Sequence, residues 1–391
     1  MTTTPTVTVI GAGLGGLVLA RVLQRHGVPV AVHDLDAGPD ARAQGGMLDM
    51  HEESGQAALA AAGLDDAFRA EVLPGGEAMR VLGTDGAVRL EEADDGTGDR
   101  PEIQREVLRD LLLASLAEGT VRWGRKLVAA RSLRDGRHEL TFDGPGAAGD
   151  DVVVTDLLVG ADGAWSRVRP LVSGAVPVPS GISFATTRLR DVDVRHPGPA
   201  AVVGGGLMFA LGEEKGLIAH REPGAALEVY VAVKGPLDAL DPTDHAGTTA
   251  ALLARFEGWD EGLRALIAEA DEPFAVRPIH ALPVGHRWDR VPGVTLLGDA
   301  AHLMSPFAGE GANLAMLDGA ELAARLVEHG AGREGADVEA ALAAYEAAMF
   351  PRAALAAAES AANLEVSFGP DGAQGLLDAM AAHEPPRGDV A

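Results

Sequence analysis

Three segments of this chain combine glycine with an acidic residue in patterns that suit a bound nucleotide. The first, Gly11-x-Gly13-x-x-Gly16, follows the apolar run Val7-Thr8-Val9-Ile10 and opens a stretch where Leu14, Leu17, Val18 and Val22 recur at helical spacing. In that setting the first glycine makes the tight turn, and the second, with Leu14 behind it, lets a pyrophosphate approach the backbone. The third permits close packing of helix on strand. Asp34 closes the next apolar run, at about the spacing where an ionised carboxylate accepts a pair of ribose hydroxyls. The same glycine spacing recurs at Gly144/Gly146/Gly149 and at Gly330/Gly332/Gly335. The former contains Pro145 in a hairpin loop and the latter follows a helix end, so both read as ordinary loops. The second segment is Gly160-Ala161-Asp162-Gly163 with Arg167 and Arg169. The third is Gly298-Asp299-Ala300-Ala301-His302, running on through Pro306, Gly309 and Gly311. Asp299 directly follows a buried-type strand, where its carboxylate can accept from a hydroxyl, and Gly309 and Gly311 admit a flat ring against the backbone.

The elements that must carry these segments follow from periodicity. Residues 7–35 read as strand, helix and parallel strand, with Gly27 as the helix stop. Ile103 to Leu116 is helical in period, Leu127 to Phe142 a hairpin turning at Asp135-Gly136, and Val152 to Val159 a buried strand. From Pro177 to Val233 strand-like runs dominate. Val294 to Leu297 reads as a strand and Gly311 to Glu328 as a helix, and the alanine-rich stretch Val338 to Leu364 as two helices meeting near Pro351. The tail after His383 reads as disordered. The expected architecture is therefore α/β. A doubly wound dinucleotide-binding domain is built from residues 1–72, 99–172 and 275–327, a β-rich substrate domain from 73–98 and 173–274, and C-terminal helices and tail from 336–391.

Composition narrows the chemistry. The chain has no cysteine, which removes disulfides, thiolate metal sites and dithiol redox centres, and its histidines show no metal-ligand spacing. With 32 basic against 58 acidic residues the net charge is −26, which repels nucleic acid and anionic membrane surfaces. No run reaches the roughly 20 apolar residues of a membrane span and no signal peptide is legible, so the cytoplasm is the default location. The sequence does not set the oligomeric state; a monomer is compatible with it.

Together the three segments, spread over about 300 residues, resemble the single-component, aromatic-hydroxylase type of FAD-dependent monooxygenase. Gly45-Gly46-Met47-Leu48-Asp49-Met50-His51, Ser54-Gly55-Gln56 and Pro306-Phe307-Ala308-Gly309 extend the resemblance to the tetracycline-inactivating flavin monooxygenases. The resemblance implies FAD as cofactor, NADPH or NADH as transient reductant, and hydroxylation of a small polycyclic, aromatic or enolic molecule by O2 through a flavin C4a-hydroperoxide. It places Asp49, Arg105 and Asp299 at FAD contacts, Arg42 at the nicotinamide cofactor, and Gly309, Glu310, Gly311, Ala312 and Asn313 beside the flavin ring. Since the flavin carries the chemistry, no side chain is assigned a catalytic role, and His302 reads as a structural hydrogen-bonder. A dehydrogenase without productive oxygen transfer, or a sequestering flavoprotein, is the alternative; a halogenase is disfavoured because no Trp-x-Trp pair occurs.

Two departures bear on substrate. Asp34-Leu35 stands where the tetracycline-inactivating enzymes carry Glu-Arg, and their histidine, arginine and glutamine contacts correspond to Glu228, Gly206 and Val202. Asn363 matches a substrate contact of that family, and Met208 and Phe307, with Phe209 and Met304, are read as an apolar pocket wall.

Overall fold

The computed structural model describes residues 7–41, 45–94, 96, 100–143 and 151–383. The chain divides into two units, one from Met1–Val72, Ile103–Val178 and His280–Glu359, the other from Leu73–Glu102, Pro179–Ile279 and Ser360–Ala391. The expected C-terminal helices do not stand as a separate body, because the helix Val338–Ser367 is shared between the two at Glu359.

The first unit carries a five-stranded sheet in the order Val294–Leu296, Leu157–Gly160, Val7–Ile10, Val30–His33, Val121–Arg122, with every pair parallel. Parallel strands covered on both faces need continuous apolar runs, and Val7–Ile10, Leu157–Gly160 and Val294–Leu296 are buried throughout. The stretch expected as one strand over Val152 to Val159 is two: Asp151–Thr155 pairs antiparallel with His138–Asp143, and after Asp156 the chain re-enters the parallel sheet as Leu157–Gly160. Exposed Val152 and Val154 alternate with their neighbours, a two-residue period that marks the outer ladder.

Two glycines that no motif singled out set the packing of the glycine-loop helix Leu14–Arg25 on the helix Glu310–Glu328. A Cβ on Gly15 would lie 2.3 Å from the Ala315 carbonyl oxygen, and one on Gly319 would lie 2.3 Å from the Gly15 carbonyl oxygen. The backbones therefore touch, and the amino ends of both helices are held at one depth.

Pro351 does not divide the last long helix, which runs unbroken over Val338–Ser367. An interior proline costs about 3 kcal/mol, and anchors on both sides of it offset that. Tyr345 donates to the Leu296 carbonyl at 3.0 Å, Glu346 accepts from Trp288 at 3.1 Å and Thr295 at 2.7 Å, and Arg352 clasps Glu321 at 2.8 Å.

His33, at the end of its strand, is 1 % exposed, stacks on Phe142 at 4.5 Å, and among the described residues has no hydrogen-bond partner on either ring nitrogen. Burial, reinforced by Arg122 and Arg125, lowers its pKa from 6.5 to about 4. The folded state thus disfavours the imidazolium, and stability falls as pH drops from the unfolded value of 6.5 towards 4, by on the order of 3 kcal/mol in all. His33→Phe should flatten the acid limb of a denaturation series in that window; an unchanged acid limb would show that His33 finds a partner when protonated.

The second unit is built on a seven-stranded sheet, ordered Ala275–Ala281, Val178–Leu189, Ala226–Lys234, Lys215–Glu222, Leu207–Gly212, Met79–Leu82, Val88–Glu92. Leu227, Val229, Val231 and Val233 project from one face into a core shared with Leu252, Phe256, Leu263 and Ile267, from the helices beside it. The alternate residues Glu228, Tyr230 and Ala232 belong to the opposite face. No helix among the described residues is long and apolar enough to cross a membrane.

Candidate cofactor site

The three segments meet beside the amino end of the helix Leu14–Arg25. Gly11 has φ +106°, and a Cβ on it would lie 2.2 Å from the Ala161 carbonyl oxygen, so the first loop rests directly on Gly160–Gly163. A Cβ on Gly16 would lie 2.3 Å from the Gly11 carbonyl oxygen, which fixes the helix against the strand it leaves. Gly13 is different. It is exposed, no atom lies within 4 Å of where its Cβ would be, and it caps the helix without a side-chain bond. Free N–H groups at an open helix amino end suit a phosphate, while Leu14 itself is buried beneath.

Asp34 is 7 % exposed and accepts from the Ala12 N–H at 2.7 Å and the Asp36 N–H at 2.8 Å. A carboxylate offers about four acceptor positions, so these two bonds aim it at the loop and leave acceptor capacity for a ribose. Arg109, which sequence reasoning passed over, donates to the Pro39 carbonyl at 2.7 Å and to that of Ala12 at 3.4 Å while lying over Trp123. Its signal was its place one turn after Arg105 on the same helix face.

The second and third segments are bolted together by Arg169. This buried guanidinium donates to Ala164 at 2.7 Å, Ala175 at 3.1 Å and Ala300 at 3.1 Å, all carbonyls, whereas Arg167 is exposed. Asp162 closes its own loop, accepting from the Ser166 hydroxyl and the Arg167 N–H, both at 2.6 Å; crowding by protein raises its carboxyl above the ordinary range.

Asp299 is exposed between buried Gly298 and Ala300. Its carboxyl is nonetheless crowded by protein. That crowding raises its pKa, with His302 and Arg105 pulling it down, so Arg105 and Asp299 stand within electrostatic reach of each other. His302 hydrogen-bonds elsewhere, as its structural reading expects. The imidazole lies 2.6 Å from Asp318, a fully buried carboxylate that also accepts from the Gly298 N–H at 3.0 Å and from Arg352 at 3.0 Å. Burial pulls His302 down, but the Asp318 charge more than reverses it and leaves the imidazole raised; the same pairing lowers Asp318 against its burial. A carboxylate in mid-helix looks solvated in sequence, and nothing local marked this one.

Around the amino end of Glu310–Glu328, Pro306 and Phe307 lie in a short helical turn, Gly309 has φ +69°, and Gly311 has open space where a Cβ would be. Ala312 is half-buried against the core. Asn313 is turned inward. It is 1 % exposed, and its amide donates to the Asp49 carbonyl at 2.8 Å and accepts from the His51 N–H at 3.1 Å. Its side chain is committed to positioning residues 49–51. Arg42 and the Gly144/Gly146/Gly149 pattern lie outside the described residues. Among the described residues no group of three His, Asp or Glu side chains could hold a metal ion.

The substrate candidates separate. Met208 is fully buried in the second unit's core, one strand position away from the face that carries Glu228, so the wall reading of Met208 is corrected; Phe209 is the residue turned to Glu228's side. Glu228 accepts from Arg188 at 3.0 Å, and Arg188 also holds Glu222 at 2.7 Å. Burial raises the Glu228 carboxyl, with Arg188 opposing. Gly206 is required by the backbone, since a Cβ there would lie 2.1 Å from the Ala78 carbonyl oxygen, and Val202 packs against the core. Neither is a pocket position vacated by a polar side chain. Phe307 and Asn363 are both half-buried.

Comparison with known proteins agrees with this geometry. A family model described as "FAD binding domain" matches residues 4–360. The chain is 32 % identical to Monooxygenase asqM of Emericella nidulans, over 93 % of this chain and 95 % of that protein. Its fold is similar to that of Klebsiella pneumoniae HpxO, solved with FAD and uric acid (TM-score 0.76, 24 % identity, 97 % of this chain and 91 % of that one). It is also similar in fold to tetracycline destructase Tet(51) (TM-score 0.72, 17 % identity, 97 % and 96 % covered). With the family matched over nearly its whole length, a glycine loop open at Gly13 and an accessible Asp299 facing Arg105, the chain belongs to the FAD-dependent monooxygenases of the FAD binding domain family.

Proposed function

We propose that this protein hydroxylates a small aromatic or enolic molecule, drawing electrons from NADPH or NADH and oxygen from O2, with FAD held non-covalently in the first unit. FAD, when bound, supplies the electron transfer and oxygen activation. The protein's part is to bind, orient and exclude water. The observation that carries the reading is Asp299, accessible among buried neighbours, within reach of Arg105 and one turn-glycine away from the Asp318 anchor. Gly13 and the helix end behind it would receive the pyrophosphate, Asp34 the adenosine ribose and Asp299 a ribityl hydroxyl. The amino end of Glu310–Glu328 would favour the negative charge of a reduced ring by about 0.3–1 kcal/mol. Arg42, Asp49 and Arg105 remain the proposed contacts to the nicotinamide cofactor and to FAD.

Asp299→Ala should weaken FAD binding by about 1–3 kcal/mol, roughly 5- to 150-fold in Kd. A folded variant with wild-type FAD affinity would remove Asp299 from the site. Oxygen uptake matched by product mass separates hydroxylation from simple dehydrogenation.

Tetracycline is expected to be a poor substrate. With Gly206 and Val202 serving the fold, the argument rests on Glu228. A β-diketone enolate presented to a carboxylate already sharing one guanidinium with Glu222 meets like charge, which can cost several kcal/mol when desolvated. Efficient NADPH-dependent mono-oxygenation of tetracycline, seen by mass, would refute it. The named hydroxylase of urate among the relatives makes nitrogen-bearing rings with N–H donors the first compounds to screen.

A further inference from the structure

His51 takes no part in the roles assigned so far, yet it is the centre of a carboxylate-imidazole-carboxylate chain. Its Nε2 lies 2.9 Å from Asp49 Oδ2 and its Nδ1 lies 3.0 Å from Glu310 Oε1. The ring is buried, with 8 % of its side chain exposed, while Asp49 and Glu310 are 32 % and 26 % exposed. Asn313 fixes the geometry by bridging the His51 N–H to the Asp49 and Gly309 carbonyls. Gly55 makes room for it, since a Cβ there would lie 2.2 Å from the Asn313 amide oxygen. A Cβ on Gly309 would lie 3.2 Å from Asp49 Oδ2 and 3.5 Å from His51 Nε2, so the Gly309 loop runs directly over the chain.

The hydrogen count gives this arrangement its chemistry. A neutral imidazole has one N–H and one bare nitrogen, and an ionised carboxylate only accepts. Two carboxylates on the two ring nitrogens therefore require one proton more than a neutral ring and two ionised carboxylates carry. That proton can reside on the ring, making it imidazolium, or on either carboxyl. A proton taken by Nε2 from Asp49 leaves through Nδ1 to Glu310, and the reverse transfer follows the same bonds, without the ring turning. Two carboxylates, Asp49 partly exposed and Glu310 with one oxygen buried, joined by a buried, bidirectional centre make a relay.

The reaction has a use for one. Hydroxylation by NADPH and O2 consumes one proton from solvent: NADPH, a proton, O2 and a C–H bond become NADP+, water and a C–OH group. A site that excludes water must still admit it. We propose that Asp49, His51 and Glu310 form the proton relay of this enzyme, with His51 as a positioning and transfer residue between the two carboxylates. The proposal rests on the reading of the chain as an FAD-dependent monooxygenase with Asp49 beside the cofactor.

The test uses the FAD-loaded protein and the partial reaction that needs no organic substrate, in which NADPH, a proton and O2 become NADP+ and hydrogen peroxide. His51→Gln and Glu310→Gln are compared with wild type for FAD content, KM for NADPH, kcat of oxygen uptake, and the solvent deuterium isotope effect. Loss of a positioned acid-base group lowers kcat by about 10²-fold or more. The relay predicts that fall in His51→Gln with FAD content and KM unchanged, a solvent isotope effect larger than in wild type, and partial rescue by added imidazole. Glu310→Gln should show the same kcat loss, and as a near-isosteric change it keeps the test available if His51→Gln fails to fold. Wild-type kcat in either folded variant overturns the relay, as does a kcat loss with no change in isotope effect and no rescue, which marks a structural role. A wild-type protein that binds FAD but oxidises neither NADPH nor NADH overturns the monooxygenase reading itself, and the relay with it.

Discussion

Gly11→Ala and Gly13→Ala should give opposite results, although the two glycines are two residues apart. At Gly11 a side chain is excluded twice, by φ +106° and by a carbonyl oxygen 2.2 Å from the new Cβ. Backbone strain of this kind costs about 1–3 kcal/mol, and the clash with Ala161 cannot be relieved by a rotamer because its partner is backbone. A loss of about 3 kcal/mol or more should lower the melting temperature of the apoprotein by several degrees and abolish FAD retention. At Gly13, φ is −77° and the space is open, so alanine there should leave the apoprotein melt within about 1 kcal/mol of wild type. FAD should nevertheless be lost, since a methyl would stand where the pyrophosphate approaches. Retained FAD in a stable Gly13→Ala protein would mean that the helix end is not the phosphate site.

Asp318→Ala should be as severe for a different reason. It would leave His302 and Arg352 without the carboxylate that both address, and the Gly298 N–H without its acceptor. Breaking a buried ion pair by removing one partner costs about 3–5 kcal/mol. Arg352 keeps Glu321, so most of the loss should fall on His302 and the turn before Asp299. Pairing Asp318→Leu with His302→Leu should recover part of it, because no lone charge then remains in the turn. Thermal melts and FAD titration of the single and double variants measure this; single and double losses that simply add would show that the two residues do not form one unit.

The parts of this molecule legible in sequence are those where function needs a residue type that local structure also needs. Gly11, Gly16 and Gly298 are such cases, at a strand-to-helix turn or in the first turn of the helix that follows, where a Cβ would collide. What stayed hidden depends on contacts made far along the chain. Asp318 and Arg109 look like solvated charges until their partners, up to 97 residues distant, are known, and Arg169, although part of the second segment, gives no local sign of its bond to Ala300, 131 residues on. A one-position change of face was enough to misplace Met208, because an apolar residue fits either side of a sheet buried on both. Pro351 misled for the opposite reason: local propensity predicted a break that tertiary anchors at Tyr345, Glu346 and Arg352 overrule.

The parallel sheet of the first unit also sets a schedule for synthesis. Its strand Leu157–Gly160 receives its outer neighbour from Val294–Leu296, about 130 residues later in the chain. At translation rates of roughly 5–20 residues per second, that interval is on the order of ten seconds. Through it, a nascent chain holding Val7–Ile10, Val30–His33 and Leu157–Gly160 presents Leu158 and Val159 along an unpaired apolar edge, while the second unit's central strands are still emerging. Such an edge is an aggregation template. Chaperone demand during expression should therefore concentrate on ribosomes that have passed residue 160 and have not yet released residue 296.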